Sequence, residues 1–296
     1  MALEVKVLSL GDIALESSFL VLGRNMGTVA RVPTFGFLIL GGNDPILVDT
    51  GYVNPDIMRA LGMDGIQREE DKLVNRLAEH GVRPKDVRYV LHTHLHIDHA
   101  GLSATPESPF PATTIMGIHR RELEYSVSGI MTAQYPPSYI KPLIDRLHVP
   151  KGLRLFDLDL SGPEELVPGV VLEHAGAHTE GSMNIIVETA EGKACICGDV
   201  IYDINDQVIQ PWHQVGDYEP ATTGNQGTSK RQEKAAIKKA LNSGKFILPV
   251  HDYPAVVQNG AVVGRLVVCV PGEVVSIVAV PPRNWYALGA LFAAGV

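Results

Sequence analysis

Short apolar runs recur along the chain, broken by turn signals and by two stretches with helical spacing. Phe35–Leu40 and Ile46–Asp49 read as paired strands, joined by Gly41-Gly42-Asn43-Asp44, a run that favours a hairpin turn. Between Arg68 and His80, Leu73, Val74 and Leu77 fall at helical spacing among charged residues, and Gly81 follows as a residue suited to end a helix. Val87–Leu91 reads as a buried strand that runs straight into a cluster of histidines. The second half repeats the theme. Val170–Glu173, Asn184–Glu188, Ala194–Cys197 and Phe246–Val250 read as strands, Lys230–Leu241 as a helix, and Val262–Val280 as a terminal hairpin. This alternation predicts an α/β fold of two mixed β-sheets flanked by helices rather than a purely parallel sheet. Tyr125–Val149 differs: with Met131, Tyr135, Pro136, Pro137, Tyr139 and Ile140 it reads as an inserted helical or loop segment, either a surface excursion or a lid over a site. One domain over 1–296 is expected, with the lid around 125–149 and a C-terminal hairpin and apolar tail over 261–296.

Composition narrows the class. Of 296 residues, 45% are hydrophobic and 20% charged, too apolar for disorder and enough for a sizeable core. The 33 acidic against 25 basic side chains give a net charge of -8, which argues against a nucleic-acid partner. Three cysteines form no disulfide framework and suit a reducing compartment; Cys195 and Cys197 read as small core residues of a strand. Glu4 and Lys6 interrupt the N-terminal run, so no signal peptide is expected, and no stretch has the 18 or more apolar residues of a membrane span. The expectation is a cytoplasmic protein with no membrane partner. The apolar tail from Trp285 to Val296 is expected to pack on the body or on a partner subunit, which admits a homodimer.

The chemistry is concentrated in Leu91-His92-Thr93-His94-Leu95-His96-Ile97-Asp98-His99-Ala100-Gly101. Four histidines and an aspartate lie within eight residues, directly after a predicted strand. In extended chain, residues two apart point to one side, so His94 and His96 can aim at one ion, and a turn would bring Asp98 and His99 to a second position. His92 lies deeper in the strand and is expected under the sheet. Imidazole and carboxylate together suit zinc, and also iron, cobalt or manganese. Further ligand candidates follow strands elsewhere: His178 in Ala175-Gly-Ala-His178-Thr-Glu-Gly181-Ser182, Asp199 after Cys197-Gly198, and His251 in Leu248-Pro-Val-His251-Asp252. A carboxylate such as Asp199 can bridge two cations with its two oxygens.

With these motifs in this order, from Asp49 in Leu47-Val-Asp-Thr-Gly51 through His251, the chain resembles the metallo-β-lactamase-fold hydrolase superfamily. The resemblance implies an αββα sandwich with two divalent metal ions at one edge, Zn2+ before Fe, Co or Mn. It implies that His94, His96 and His178 bind one metal, that Asp98, His99 and His251 bind the other, that Asp199 bridges them, and that Asp49 orients a ligand. The acid at position 199 disfavours true β-lactamases, and the chain's acidity disfavours RNA-processing members. Thioester-hydrolysing members share the ligand set. Tyr202, three residues after Asp199, is similar to a tyrosine of the N-acyl-homoserine-lactone lactonases, as is the His251-Asp252 pair. That branch implies ring opening of a small lactone and a quorum-quenching activity. Two close cations lower the pKa of a shared water to about 7, and the hydroxide so formed attacks the lactone carbonyl. Tyr202 would steady the developing oxyanion, and Asp98 would pass a proton to the leaving alkoxide. Hydrolysis of another small lactone, ester, thioester or amide at the same site is the alternative, and a di-iron redox protein a third reading. Phe19, Leu20, Leu22, Met26, Met131, Tyr135, Tyr139, Trp212 and Tyr218 are candidates to line an apolar substrate pocket.

Overall fold

The structure is a computed structural model and describes residues 2–211, 219–225, 227–267 and 276–279. Trp212, Tyr218, Cys269 and the tail from Trp285 lie outside these described residues. The chain opens with two long strands, β1 (Glu4–Glu16) and β2 (Val29–Leu40), paired antiparallel. In β1 the buried positions change parity, from Leu8 and Leu10 to Ile13 and Leu15, because a bulge shifts the register between Ser9 and Asp12. One extra residue keeps all four side chains on one face. This strand is absent from the sequence-based expectation, since a parity change hides a period of two.

The remaining strands of the first sheet are β3 (Ile46–Val48), β4 (Asp64–Ile66), β5 (Tyr89–Leu91), β6 (Ile115–His119) and β7 (Leu153–Phe156). Their order is β4-β1-β2-β3-β5-β6-β7, antiparallel on one side and parallel from β3 to β7. The second sheet holds β8 (Glu164–Val167), β9 (Val170–His174), β10 (Met183–Thr189), β11 (Gly192–Gly198), β12 (Phe246–Pro249), β13 (Ala255–Gln258), β14 (Ala261–Val267) and β15 (Ser276–Ala279). It runs in reverse chain order from β15 to β8, with β11 and β12 parallel and the other pairs antiparallel. The expected hairpins β2–β3 and β14–β15 are both present.

The layers follow from alternation. Phe37, Ile39 and Val48 of the first sheet meet Leu172, Ile185, Val187 and Ile196 of the second to form the central core. Leu38, Leu47, Val90 and Met116 point the other way, where α1 (Leu73–Glu79) and α3 (Pro137–Arg146) contribute Leu73, Leu77, Tyr139, Ile140 and Leu143. On the outer face of the second sheet, α5 (Lys230–Ser243) packs Ala236, Ile237, Ala240 and Leu241 on Cys195, Cys197 and Ile247; α2 (Arg120–Ser126) and α4 (Leu158–Ser161) follow β6 and β7. The result is a helix–sheet–sheet–helix sandwich, as expected.

Two sequence expectations need adjustment. The helix predicted over Arg68–His80 is a short turn at Glu69–Asp71 followed by α1, with Lys72 extended between them. Asp71 accepts the Arg68 backbone N–H and also bonds the Arg76 guanidinium, which holds the break in place. Val74 is consequently exposed rather than buried. The segment 125–149 is non-sheet as expected, but its α3 belongs to the sandwich's helical layer.

Candidate metal centre

Strands of both sheets end at one edge, and each end carries a polar side chain into a shared, buried spot. Asp49 follows β3, His92 to His99 follow β5, His178 lies between β9 and β10, Asp199 follows β11 and His251 follows β12. The two sheets are stitched there by backbone hydrogen bonds, Met183 N–H to Thr93 O and Phe35 N–H to Val250 O. Two backbone conformations set the aim: Asp49 (φ 57°) and His178 (φ 68°) are both left-handed, uncommon for side-chain-bearing residues and concentrated at functional positions. Gly198 takes the same conformation (φ 53°), and a Cβ there would lie 2.7 Å from the Thr93 side chain, so Asp199 can be delivered only from a glycine.

His94, His96, His178 and Asp199 form one group, and Asp98, His99 and His251 another. In the first, His178 Nε2 lies 3.2 Å from His94 Nε2 and 3.0 Å from His96 Nδ1. In the second, His251 Nε2 lies 3.1 Å from Asp98 Oδ2, and His99 Nε2 3.7 Å from Asp98 Oδ1. Asp199 stands between the two. Its Oδ2 is 3.7 and 3.6 Å from His94 and His178, and its Oδ1 is 3.2 and 3.4 Å from His99 and His251.

The outward nitrogens of His99 and His251 are fixed by neighbours. His99 Nδ1 lies 2.9 Å from Asp49 Oδ2, and a carboxylate can only accept, so the proton sits on Nδ1 and the lone pair of Nε2 faces inward. His251 Nδ1 likewise donates to Pro33 O at 2.8 Å. Asp49 is itself held by the Thr93 N–H (2.9 Å) and Thr93 hydroxyl (2.7 Å). His92 is buried beneath, with Nδ1 3.8 Å from Asp49.

Electrostatics divide the groups. Burial, with neighbouring imidazoles, pushes His94 and His96 well below the ordinary histidine pKa, and burial takes His178 down to about 4. Burial also opposes the charged forms of His251 and His99, but Asp199 and Asp98 outweigh it and lift His251 to about 10 and His99 well above its usual range. Asp199 is buried, yet His99 and His251 hold it well below the carboxylate range. Two carboxylates thus demand positive charge at this spot, and three neutral imidazoles turn ring nitrogens toward it. A single proton on His178 Nε2 cannot serve both nitrogens that face it, and His99 Nε2 and Asp199 Oδ1, both buried and 3.2 Å apart, are not aligned for a hydrogen bond with each other or with any other of the described residues. The donor set therefore fits a pair of divalent cations of the zinc type.

The metallo-beta-lactamase superfamily model matches residues 29–251, which span every one of these side chains. The chain belongs to the metallo-beta-lactamase superfamily. Within this superfamily it is 32% identical over 175 residues to an N-acyl homoserine lactonase of a Bacillus species, and 28% identical over 201 residues to the N-acyl homoserine lactonase AiiB of Rhizobium rhizogenes. These alignments cover 55% and 61% of the chain, and 61% and 70% of the relatives. Among solved structures, an N-acyl homoserine lactone hydrolase with N-hexanoyl-L-homoserine at its catalytic metal centre superposes with a TM-score of 0.62, at 23% identity over 81% of the chain and 88% of its own. The dizinc quorum-quenching lactonase AidC gives 0.61, at 18% identity over 95% of the chain and 96% of its own. At these identities the superpositions speak for the superfamily fold.

Tyr202 stands at the mouth of the centre. Its ring stacks on His251 at 5.2 Å between centroids and meets His178 edge-on. Burial, reinforced by Asp199 and Asp98, pushes its hydroxyl well above the usual tyrosine pKa, so it stays a neutral donor. Asp98, Tyr202 and His251 form the polar floor of a cavity, with Gln134 and Asn225 beside them, walled by Ile13, Leu15, Phe19, Val32, Met58, Leu61 and Met63. A wider vestibule continues from it past Phe19, Leu61 and Met131–Gln134.

Of the expected pocket residues, Phe19 lines both spaces and Met131 the vestibule. Others sit elsewhere. Leu20 is buried in the core, Leu22 is not part of either lining, and Met26 is 73% exposed on the surface. Tyr139 is sealed in the core, its hydroxyl accepting the Val53 N–H. Tyr135 backs His96 at 4.9 Å and donates its hydroxyl to Glu122.

Glu122 was missed by sequence reasoning. It is fully buried and accepts the Leu95 N–H (2.9 Å), the Tyr135 hydroxyl (2.9 Å) and the Thr179 hydroxyl (2.5 Å), joining both histidine loops from behind. In sequence it sits in Arg120-Arg121-Glu122, which reads as a solvated helix face. Thr93, Asn225 and Gln134 carried no signal either.

Proposed function

We propose that the chain is a dinuclear metal-dependent hydrolase that opens a small lactone ring, with N-acyl homoserine lactones as its substrate class. The observation that carries this reading is the placement of Asp98 and Tyr202, with the Asp199-joined clusters, at the floor of a cavity whose lining is apolar apart from that floor and the carboxamides of Gln134 and Asn225. The lactonases among its relatives support the same choice. His94, His96 and His178 would hold one cation, Asp98, His99 and His251 the other, and Asp199 both, while Asp49 keeps His99 in its ligand tautomer. When bound, the cation pair supplies Lewis acidity and an activated water near neutral pH.

The chain's own groups do the rest. Tyr202 donates a hydrogen bond to the carbonyl oxygen as negative charge grows there. Asp98, at the edge of its group and facing the cavity, carries the proton to the departing ring oxygen. The apolar wall takes the acyl chain and keeps bulk water from the reacting carbonyl. The ring would sit against the polar floor, with the acyl chain running toward the vestibule.

The test is acid release, followed by pH indicator, from hexanoyl-homoserine lactone with zinc-loaded protein and Asp199→Asn as control. Rapid release that the control lacks is expected. No release from protein holding two metals would move the assignment to other esters, thioesters or amides.

A further inference from the structure

Tyr202 is not alone at the cavity floor. Asn225 Nδ2 lies 3.2 Å from the Tyr202 hydroxyl oxygen, and Gln134 Nε2 lies 3.0 Å from Asn225 Oδ1. Both carboxamides line the inner cavity and the vestibule, at the neck between them. Gln134 is buried, and Asn225 is fixed through its backbone N–H, which bonds Thr223 Oγ1 (3.1 Å) and Phe19 O (3.2 Å).

The direction of these bonds matters. A carboxamide has one donating and one accepting end. With the Asn225 oxygen taken by the Gln134 amide, its NH2 must face the phenol and can only donate. The phenol O–H lies in the ring plane and has two orientations. The Asn225 hydrogens occupy one, so the hydroxyl proton takes the other, on the side of Asp199 and the metal centre. We propose that Gln134 and Asn225 form a polarity relay that aims the Tyr202 hydroxyl proton at the reacting carbonyl, with Asn225 as a positioning residue for the reaction. The relay rests on the lactone-opening reading. It also joins the turn at Thr132–Gln134, which lines the vestibule, to the group that touches the carbonyl, so a substrate seated against that turn also bears on Tyr202.

The test exploits an isosteric reversal. Asn225→Asp keeps shape but presents only acceptors, so the phenol would turn its proton toward position 225. With hexanoyl-homoserine lactone and the zinc-loaded full chain, kcat should fall in Asn225→Asp by about 10²-fold, as for loss of one oxyanion donor, with KM changed little. Asn225→Ala, which removes the bond without reversing it, should cost only about fivefold. In a Tyr202→Phe background both substitutions should be silent within about twofold, because there is no proton left to aim. A carboxylate that harmed the site through charge alone would still cost activity in that background, and this outcome overturns the relay. So does Asn225→Asp proving no worse than Asn225→Ala.

A second readout needs no turnover. The Cζ resonance of ring-labelled Tyr202 should shift in Asn225→Asp, as the phenol proton turns from the Asp199 side to the new carboxylate at position 225. An unmoved resonance overturns the relay. A wild-type protein that leaves lactones intact while this resonance responds would instead remove the lactone reading and leave the proton's orientation standing.

Discussion

The polar floor of the cavity and its apolar wall are built in opposite ways. The floor is assembled from strand ends: His94–His99, His178, Asp199 and His251 each follow a β-strand directly or within a short loop. His99 and His251 are held from behind by Asp49 and Pro33, and Asp49 in turn by Thr93. The wall takes side chains from β1, β2, a short 3-10 helix (Pro55–Leu61) and the turn after β1, with no shared motif. The lesson is that the floor tolerates almost no change in kind, whereas the wall tolerates change in size. A buried carboxylate between two sets of ligands has no substitute; an apolar wall needs only volume and dryness.

Substitutions should separate the two regions, and the largest effect belongs to the floor. Asp199→Ala should lower the bound metal from two equivalents to one or none and take lactone opening below detection, measured by elemental analysis beside the rate. Retention of two metals would break the account of the floor. Tyr202→Phe should keep both metals and lose about 10²–10³-fold in kcat, the size of one oxyanion donor. An unchanged rate would remove that role while leaving the centre intact. Asp49→Asn should weaken metal affinity about 10–100-fold, read by competition with a chelator, because His99 loses the carboxylate that fixes its tautomer.

The wall should answer differently. Leu15→Trp fills the cavity beyond the reacting carbonyl. It should raise KM for decanoyl- over butanoyl-homoserine lactone by about tenfold, with kcat for the short chain nearly kept. Equal losses for both chains would mean that the wall helps position the ring.

The smallest effect lies outside both regions, at Glu233 of α5. Burial raises its pKa to about 8, against the Thr223 N–H that it accepts. An acid raised in the folded state stabilises below its unfolded pKa, about 4.3, and loses that contribution as pH rises through about 8. Glu233→Gln should therefore be more stable than the parent by roughly 1–3 kcal/mol at pH 8.5 and no more stable at pH 4, by urea denaturation. The reverse ordering would place a charged, satisfied Glu233 in the folded chain.

The same contrast explains what could be read in the sequence. The floor was legible because metal ligation demands a few residue types at fixed offsets from strand ends, so His94, His96, His178, Asp199 and His251 stand out one by one. Most strands were legible from apolar runs, and the β2–β3 turn from its glycines. β1 was hidden by the parity change at its bulge, and the break before α1 by a capping contact of Asp71. The wall was illegible because any apolar residue can fill it: Leu20 and Tyr139 look the same as Leu15 and Met58 until the fold sorts core from cavity. Glu122 and Asn225 were invisible for a related reason, since a buried carboxylate or carboxamide differs from a solvated one only in its partners.

The central claim is that two cations, joined by Asp199, make the floor reactive toward a lactone. The most direct measurement titrates metal-free protein with zinc while following acid release from hexanoyl-homoserine lactone. The account predicts that activity rises with the second equivalent and levels off there. Full activity at one equivalent, or lactone opening by the metal-free chain, would contradict it.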